Sequence, residues 1–437
     1  MRNDIVHTHA AMLTYEIRAI VEIADKLRAL GLKTNMENIG DPVAKGEPIP
    51  RWLKDIVAGL ATEDATYGYS PTKGIRATRE FLATRTNARG GMQITAEDII
   101  FFNGLGDAVQ KIYGQLNRAA RVLIPSPTYT AHSTGEAFHA GTASLTYRLD
   151  PGNHWYPDVA QVERLVEGHP EISALLIINP DNPTGAVFPE AILRQLIDIA
   201  RKHDLFVICD EVYHQLTYHG QTTRPLSDLI GDVPALALKG VSKEVPWPGA
   251  RCGWIEVYNA DKDAVFARYV RGILDAKMVE VCSTTLPQRA IPAILSHPEF
   301  PNHIAARNAH YERSSQIAYD VLREVPGLTV NRTHGAFYMS VVIDTARLHA
   351  RQTLPIASPE VRTLVEGLVS APGVALDKRF VYYLLASTGI CVVPLSSFGT
   401  TLNGFRITLL EPNEAELRRI FTTIAQSVTA YLASHKS

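Results

Sequence analysis

Residues 174–188 read ALLIINPDNPTGAVF. An apolar run, Ala174–Ile178, passes directly into two X-Pro steps and a glycine. A short, near-continuous apolar run suits a strand buried on both faces. The prolines and Gly185 impose a stiff turn after it, which holds Asn182 in one direction. The same grammar recurs along the chain. Leu205–Cys209 is followed by Asp210-Glu211-Val212-Tyr213, and Ala235–Leu238 leads to Ser242-Lys243. Ile99–Phe102 and Val122–Ile124 are two further runs of this kind. Helical stretches separate them, including Ala108–Leu116, Val159–Val166 and Glu190–Lys202. Such alternation predicts an α/β fold, a mostly parallel sheet covered on both faces by helices. In such sheets ligands sit beyond the carboxyl ends of the strands.

Outward from this block the pattern changes. After about residue 305, helical segments surround shorter strand candidates, Ala336–Ile343, Val374–Leu376 and Gly389–Val393, and predict a smaller α+β domain. Residues 8–30 carry Ile17, Ile20, Val21, Ala24, Leu27 and Leu30 at helical spacing, with Gly31 as a stop. Residues 38–50, NIGDPVAKGEPIP, read as an extended loop. The expected division is an N-terminal helix and arm over 1–45, a large domain over 46–305 and a small domain over 306–437. The arm is expected to join the small domain and cover the site.

Composition sets the limits. The chain has 437 residues, with 43 basic and 45 acidic side chains, so its net charge is −2. That balance leaves no electrostatic footprint for nucleic acid or an anionic membrane. Cys209, Cys252, Cys282 and Cys391 show no CxxC spacing, so no zinc or iron–sulfur site is expected. No apolar run reaches the ~18 residues of a membrane span. Charged residues from Asp4 to Lys26 interrupt any signal-like segment. A reduced, cytoplasmic protein is the expectation.

The residues at the strand ends suggest chemistry. A carboxylate such as Asp210 at the end of a buried strand needs a partner, and a protonated ring nitrogen is a good one. A lysine such as Lys243 in a partly desolvated cleft can act as an amine nucleophile. Asn103-Gly104-Leu105-Gly106 follows the run IIFF and opens a helix, where backbone N–H groups form an anion site. A lone motif of each type has a bland alternative: a turn, a solvated lysine, a packed tyrosine. Their order on successive strand ends of one sheet is more specific.

Together these motifs resemble the class I/II aminotransferases of the fold type I pyridoxal-phosphate enzymes, over nearly the whole chain. The resemblance implies pyridoxal 5'-phosphate as cofactor, with Lys243 as its Schiff-base lysine and proton shuttle. It pairs Asp210 with the pyridine nitrogen, and Tyr213 and Asn182 with the phenolic oxygen. Tyr129 would stack on the ring. Gly104, Leu105, Gly106, Ser242 and Arg251 would meet the phosphate, and Tyr69 would reach the phosphate of a second copy in a homodimer with shared sites. Arg406, in Gly-Phe-Arg-Ile-Thr, matches the arginine that grips the substrate α-carboxylate, with Asn182 and the Gly40 backbone nearby. A guanidinium fork suits a carboxylate. The chain departs from the family at Gly240, where a phosphate-binding serine is common. Asp107, beside the anion site, reads as a first-turn acid favoured by the helix dipole.

Thr14-Tyr15-Glu16-Ile17-Arg18, Asn-Ile-Gly-Asp-Pro at 38–42 and Gly389–Pro394 are most similar to alanine (glutamate–pyruvate) aminotransferases. This makes Tyr15 and Arg18 candidates for closing the pocket. The implied reaction is ping-pong transfer of an amino group between an L-amino acid, alanine or glutamate, and a 2-oxo acid, pyruvate or 2-oxoglutarate. Aspartate or aromatic transamination, and a pyridoxal-phosphate lyase on the same fold, use the same Lys, Asp and Arg.

Overall fold

The computed structural model describes residues 3, 5–13 and 16–434, with the backbone alone at 16 and 17. Its centre is an eight-stranded sheet. The strand order is Ile99–Phe102, Gly253–Tyr258, Ala235–Gly240, Phe206–Asp210, Ile172–Ile178, Arg121–Ser126, Thr146–Asp150 and Tyr156–Pro157. Gly253–Tyr258 runs antiparallel to both its neighbours, and Tyr156–Pro157 runs antiparallel to Thr146–Asp150. The other pairings are parallel. Ile178, Asp210 and Leu238 stand in register, so three strand ends finish on one line.

Side chains alternate across this sheet with the two-residue period of a strand. Leu175, Ile177, Val207, Cys209, Ala235 and Ala237 enter one core. Ala174, Leu176, Ile178, Ile208, Leu236 and Leu238 enter the other. Both faces are therefore apolar, which is why the runs read as continuous rather than alternating.

A four-stranded antiparallel sheet forms a second body, in the order Leu328–Val330, Tyr338–Ile343, Gly404–Thr408, Val393–Pro394. One core beside it collects Ile20, Ile23, Ala24 and Leu27 of the helix Glu16–Ala29, with residues of Pro359–Val369, Leu376–Thr388 and Glu414–Ala433. The chain then pairs Asn35–Met36 in parallel with Ile390–Cys391, which fastens the N-terminal segment to this body. The helix Phe300–Leu322 joins the bodies. Phe300, Ile304 and Tyr311 pack in the core of the large sheet, and Ile317, Ala318 and Leu322 in that of the small one.

Several expectations are corrected. The helix expected over 8–30 is a short 3-10 turn, Ala10–Met12, followed by Glu16–Ala29. The strand expected at Val374–Leu376 is absent; Ala375 instead leads into the helix Leu376–Thr388. Phe380, Val381, Leu384 and Leu385 recur there at helical spacing and are fully buried. Asp377 in its first turn accepts hydrogen bonds from the Ser396 amide and hydroxyl. The helix expected from Ala108 begins earlier, at Leu105, because Gly104 adopts φ 84° and turns the chain out of the preceding strand.

Candidate active site

The line of strand ends borders a cavity of about 190 Å³. Leu105, Gly106, Tyr129, Asn182, Asp210, Tyr213, Ser242, Lys243 and Arg251 all line it. Residues from five separate loops thus converge, as the parallel strands require.

Asp210 is buried. One carboxylate oxygen accepts from the Val212 amide at 3.1 Å, and the other lies 3.3 Å from the His132 ring nitrogen Nε2. His132 in turn meets the Tyr113 hydroxyl at 3.2 Å. Sequence reading missed His132. The available signal was its place three residues after Tyr129 at the start of the helix Thr130–Ala140, which brings both rings to one side.

The amine of Lys243 donates to the Gly40 carbonyl at 2.7 Å. Gly40 is tightly required, because a Cβ there would overlap the Tyr338 hydroxyl. Tyr338 also lines the cavity, and it too escaped the sequence reading. It accepts from the Tyr213 hydroxyl at 3.3 Å, and burial pushes the Tyr213 phenol well above its ordinary range.

Arg406 stands on the central small-sheet strand, opposite Ser340 and Val393. Its guanidinium donates to the Asn38 carbonyl at 2.6 Å and to the Asn182 side-chain oxygen at 3.3 Å. It is packed over the rings of Tyr338 and Phe398, at 4.4 and 4.9 Å. Only 2% of Arg406 is exposed, so it is a buried side chain rather than a solvated one. Asn182 is therefore the side chain that touches Arg406 from the rigid turn after Ala174–Ile178.

The end of the cavity beside Arg251 is glycine-built. A Cβ on Gly104 would run into the Arg251 guanidinium. Gly240 faces Gly253 across the sheet, and a side chain there would crowd the Cys252 carbonyl. That crowding gives a physical reason for glycine at this position. Asp107 accepts from the Asn103 amide at 3.0 Å, and pairs with Lys111. Fully buried Lys277 adds 2.7 Å and 3.7 Å contacts to Glu280 and Asp107. Asp107 thus closes the turn as part of an ion network rather than acting through the helix dipole alone.

Three expected site residues stand apart. Tyr69 is 88% exposed and is not among the residues lining the cavity of its own chain. Arg18 is exposed on the first turn of Glu16–Ala29 and does not line the cavity either. Tyr15 lies outside the described residues.

A sequence model of one family, the class I and II aminotransferases, matches residues 37–424. The chain belongs to that family. It is an aminotransferase. It is 52% identical to an uncharacterized aminotransferase of Methanocaldococcus jannaschii, over 99% of this chain and 100% of that one. It is 29% identical to the glutamate-pyruvate aminotransferase AlaA of Escherichia coli, over 77% of this chain and 82% of that one. Among solved structures, an alanine aminotransferase from Pyrococcus furiosus superposes with a TM-score of 0.82 at 25% identity, covering 97% of this chain and 98% of that one. Another neighbour, an aminotransferase from Escherichia coli, has a TM-score of 0.85 at 23% identity, with 100% of both chains covered. Among the described residues, no helix of this aminotransferase is long and apolar enough to cross a membrane.

Proposed function

We propose that this aminotransferase uses pyridoxal 5'-phosphate to move an amino group between alanine or glutamate and pyruvate or 2-oxoglutarate, by a ping-pong route. The observation that carries the cofactor reading is the convergence of Lys243, Asp210, Asn182, Tyr213 and Arg251 on one cavity beside buried Arg406. When bound, the cofactor supplies an aldehyde for the amino group and a ring that delocalises negative charge.

The chain's own residues have complementary tasks. Lys243 would bond to the aldehyde and, once released, carry the substrate α-proton. Asp210, fixed by the Val212 amide and His132, would keep a proton on the ring nitrogen. Tyr213 and Asn182 would donate to the phenolic oxygen, and Tyr129 would cover the ring face. The helix start at Leu105–Gly106, with Ser242 and Arg251, would hold the phosphate. Arg406 would bind the substrate carboxylate with the Gly40 backbone beside it.

The substrate pair rests on relatives. AlaA of Escherichia coli is named a glutamate-pyruvate aminotransferase. An alanine aminotransferase of Mycobacterium tuberculosis is 30% identical over 74% of this chain and 75% of that one. We further propose a cytoplasmic homodimer. Tyr67, Tyr69, Val279 and Val281 are large apolar side chains left exposed. The Thr285 hydroxyl donates to the Gly68 carbonyl and the Ser70 hydroxyl to that of Ser283, which ties their two segments into one face. A second copy on this face would let Tyr69 reach the partner's phosphate. Residues 1–45, 46–305 and 306–437 are retained as the proposed division into arm, large domain and small domain.

Single-turnover absorbance of the cofactor-loaded protein against a panel of amino acids tests the substrate reading. Alanine and glutamate should convert the cofactor fastest. Faster conversion by aspartate or aromatic donors would replace them, and release of ammonia without an acceptor would mark a lyase.

A further inference from the structure

Behind the lysine lies an arginine that the proposed chemistry does not use. Arg307 stands two turns into Phe300–Leu322, the helix that joins the two bodies, and is 5% exposed. Its Nε donates to Glu47 at 2.5 Å, and one terminal nitrogen to the same carboxylate at 3.3 Å and to the Tyr311 hydroxyl at 2.7 Å. The other terminal nitrogen donates to the carbonyls of Lys243 and Glu244, at 2.6 and 3.0 Å. A guanidinium has five N–H groups in a fixed fork, and all five are taken. Tyr311 closes the ring by donating to Glu47 at 3.0 Å.

This clasp joins three segments that meet the chemistry from different sides. It grips the backbone of Lys243 directly. Through Glu47 it fixes the far end of the loop 38–47, whose near end offers the Asn38 carbonyl to Arg406 and the Gly40 carbonyl to the Lys243 amine. Lys45, inside that loop, is separately paired with buried Glu37 at 2.5 Å, so the loop is a strap with two ionic anchors. The strap touches the lysine amine and the substrate arginine at the same time.

We infer that Arg307, Glu47 and Tyr311 form a positioning clasp that sets the Lys243 amine, through the lysine backbone on one side and through the strap on the other. The inference rests on Lys243 being the cofactor lysine. It goes beyond that reading by assigning catalytic alignment to three residues that do not line the cavity. A carboxylate taking the Arg406 nitrogen that now serves Asn38 would loosen the near end of the strap. The clasp would keep its far end, and the Lys243 backbone, in place.

The test uses the full chain loaded with pyridoxal 5'-phosphate, with absorbance of the lysine–cofactor imine and kcat per imine-bearing site as separate readouts. Glu47→Gln and Tyr311→Phe keep the shape of the clasp. Each should retain the imine and the KM for the amino donor while kcat per site falls about tenfold, as small misplacement of a reacting group does. Arg307→Lys, which supplies three N–H groups without the fork, should lose more. A kcat per site within twofold of the parent in both Glu47→Gln and Tyr311→Phe overturns the clasp, even if thermal stability drops. If Arg307→Lys fails to fold, partly exposed Glu47 still decides the matter. Absence of the imine from the parent protein would instead remove the reading of Lys243, and is a separate failure.

Discussion

Two cavities of the same volume, about 190 Å³ each, flank the ends of Phe206–Asp210 and Ala235–Gly240. Neighbouring residues are dealt out between them: Asp210 and Lys243 line one, Glu211 and Glu244 the other. In the second cavity each charge named here has a partner. Lys239 lies 2.9 Å from Glu211 and 3.8 Å from Glu256. Gln215 donates its amide and its side chain to Glu244, both at 2.7 Å. Burial works against the Lys239 charge, but Glu211 and Glu256 outweigh it and hold its pKa above the ordinary lysine value. In the first cavity Lys243 meets a carbonyl and Asp210 an amide and an imidazole, and among the described residues the two form no salt bridge with each other. Charges paired with each other hold a fold together; charges held apart remain able to engage a ligand.

The largest expected effect breaks that contrast on its functional side. Lys243→Ala should abolish both the imine absorbance and turnover while the protein stays folded. Retained turnover in that variant would remove the proposed chemistry. The mirror experiment is Lys239→Met. It leaves Glu211 and Glu256 buried without their cation, at a cost of about 3 kcal/mol of stability. Thermal unfolding should show a lower midpoint with the imine still present. Loss of the imine at an unchanged midpoint would mean that the two cavities had been assigned the wrong way round.

Arg406→Lys acts at the rim between site and small sheet. A charge-assisted fork is replaced by a point charge, a loss of about 1.5–3 kcal/mol, or about tenfold to a hundredfold in affinity. The KM for amino donors should rise by that factor in steady-state kinetics, with the imine spectrum unchanged. An unchanged KM would show that the carboxylate binds elsewhere.

What the sequence disclosed follows the same division. Contiguous motifs at strand ends, such as NPDNPTG and DEVY, were legible because local turns fix their side chains relative to one sheet. His132, Tyr338 and Arg307 were not, because each takes its role from a contact far away in the chain: Asp210, Tyr213 and the Lys243 carbonyl. The strand Gly253–Tyr258 was hidden by Glu256, a charge in the middle of an otherwise apolar run. Its burial is explained only by Lys239, Thr86 and Tyr258 around it. Tyr69 shows the opposite limit. Its motif is readable, yet its side chain is exposed and does not line the cavity of this chain.

Asp181 belongs to neither pattern, and it offers the smallest and finest test. It sits inside NPDNPTG, fully buried, and accepts from the Thr184 amide at 3.0 Å and from the Thr184 hydroxyl. Among the described residues no cation pairs with it, and its second oxygen has no hydrogen-bond partner. Burial pushes its pKa from 3.8 up to about 7, against the Thr184 hydrogen bonds and with a further push from the Asp210 charge. The folded chain therefore keeps this proton when the unfolded chain has lost it. The stability it lends is complete below the unfolded pKa of 3.8, falls as pH rises towards 7, and is gone above that. Asp181→Asn removes the ionisation while retaining an acceptor for Thr184. It should raise the thermal midpoint at pH 8 more than at pH 5. An equal change at both values would show that Asp181 is ionised throughout, and that an unpaired buried carboxylate at this edge of the site is held charged by the turn alone.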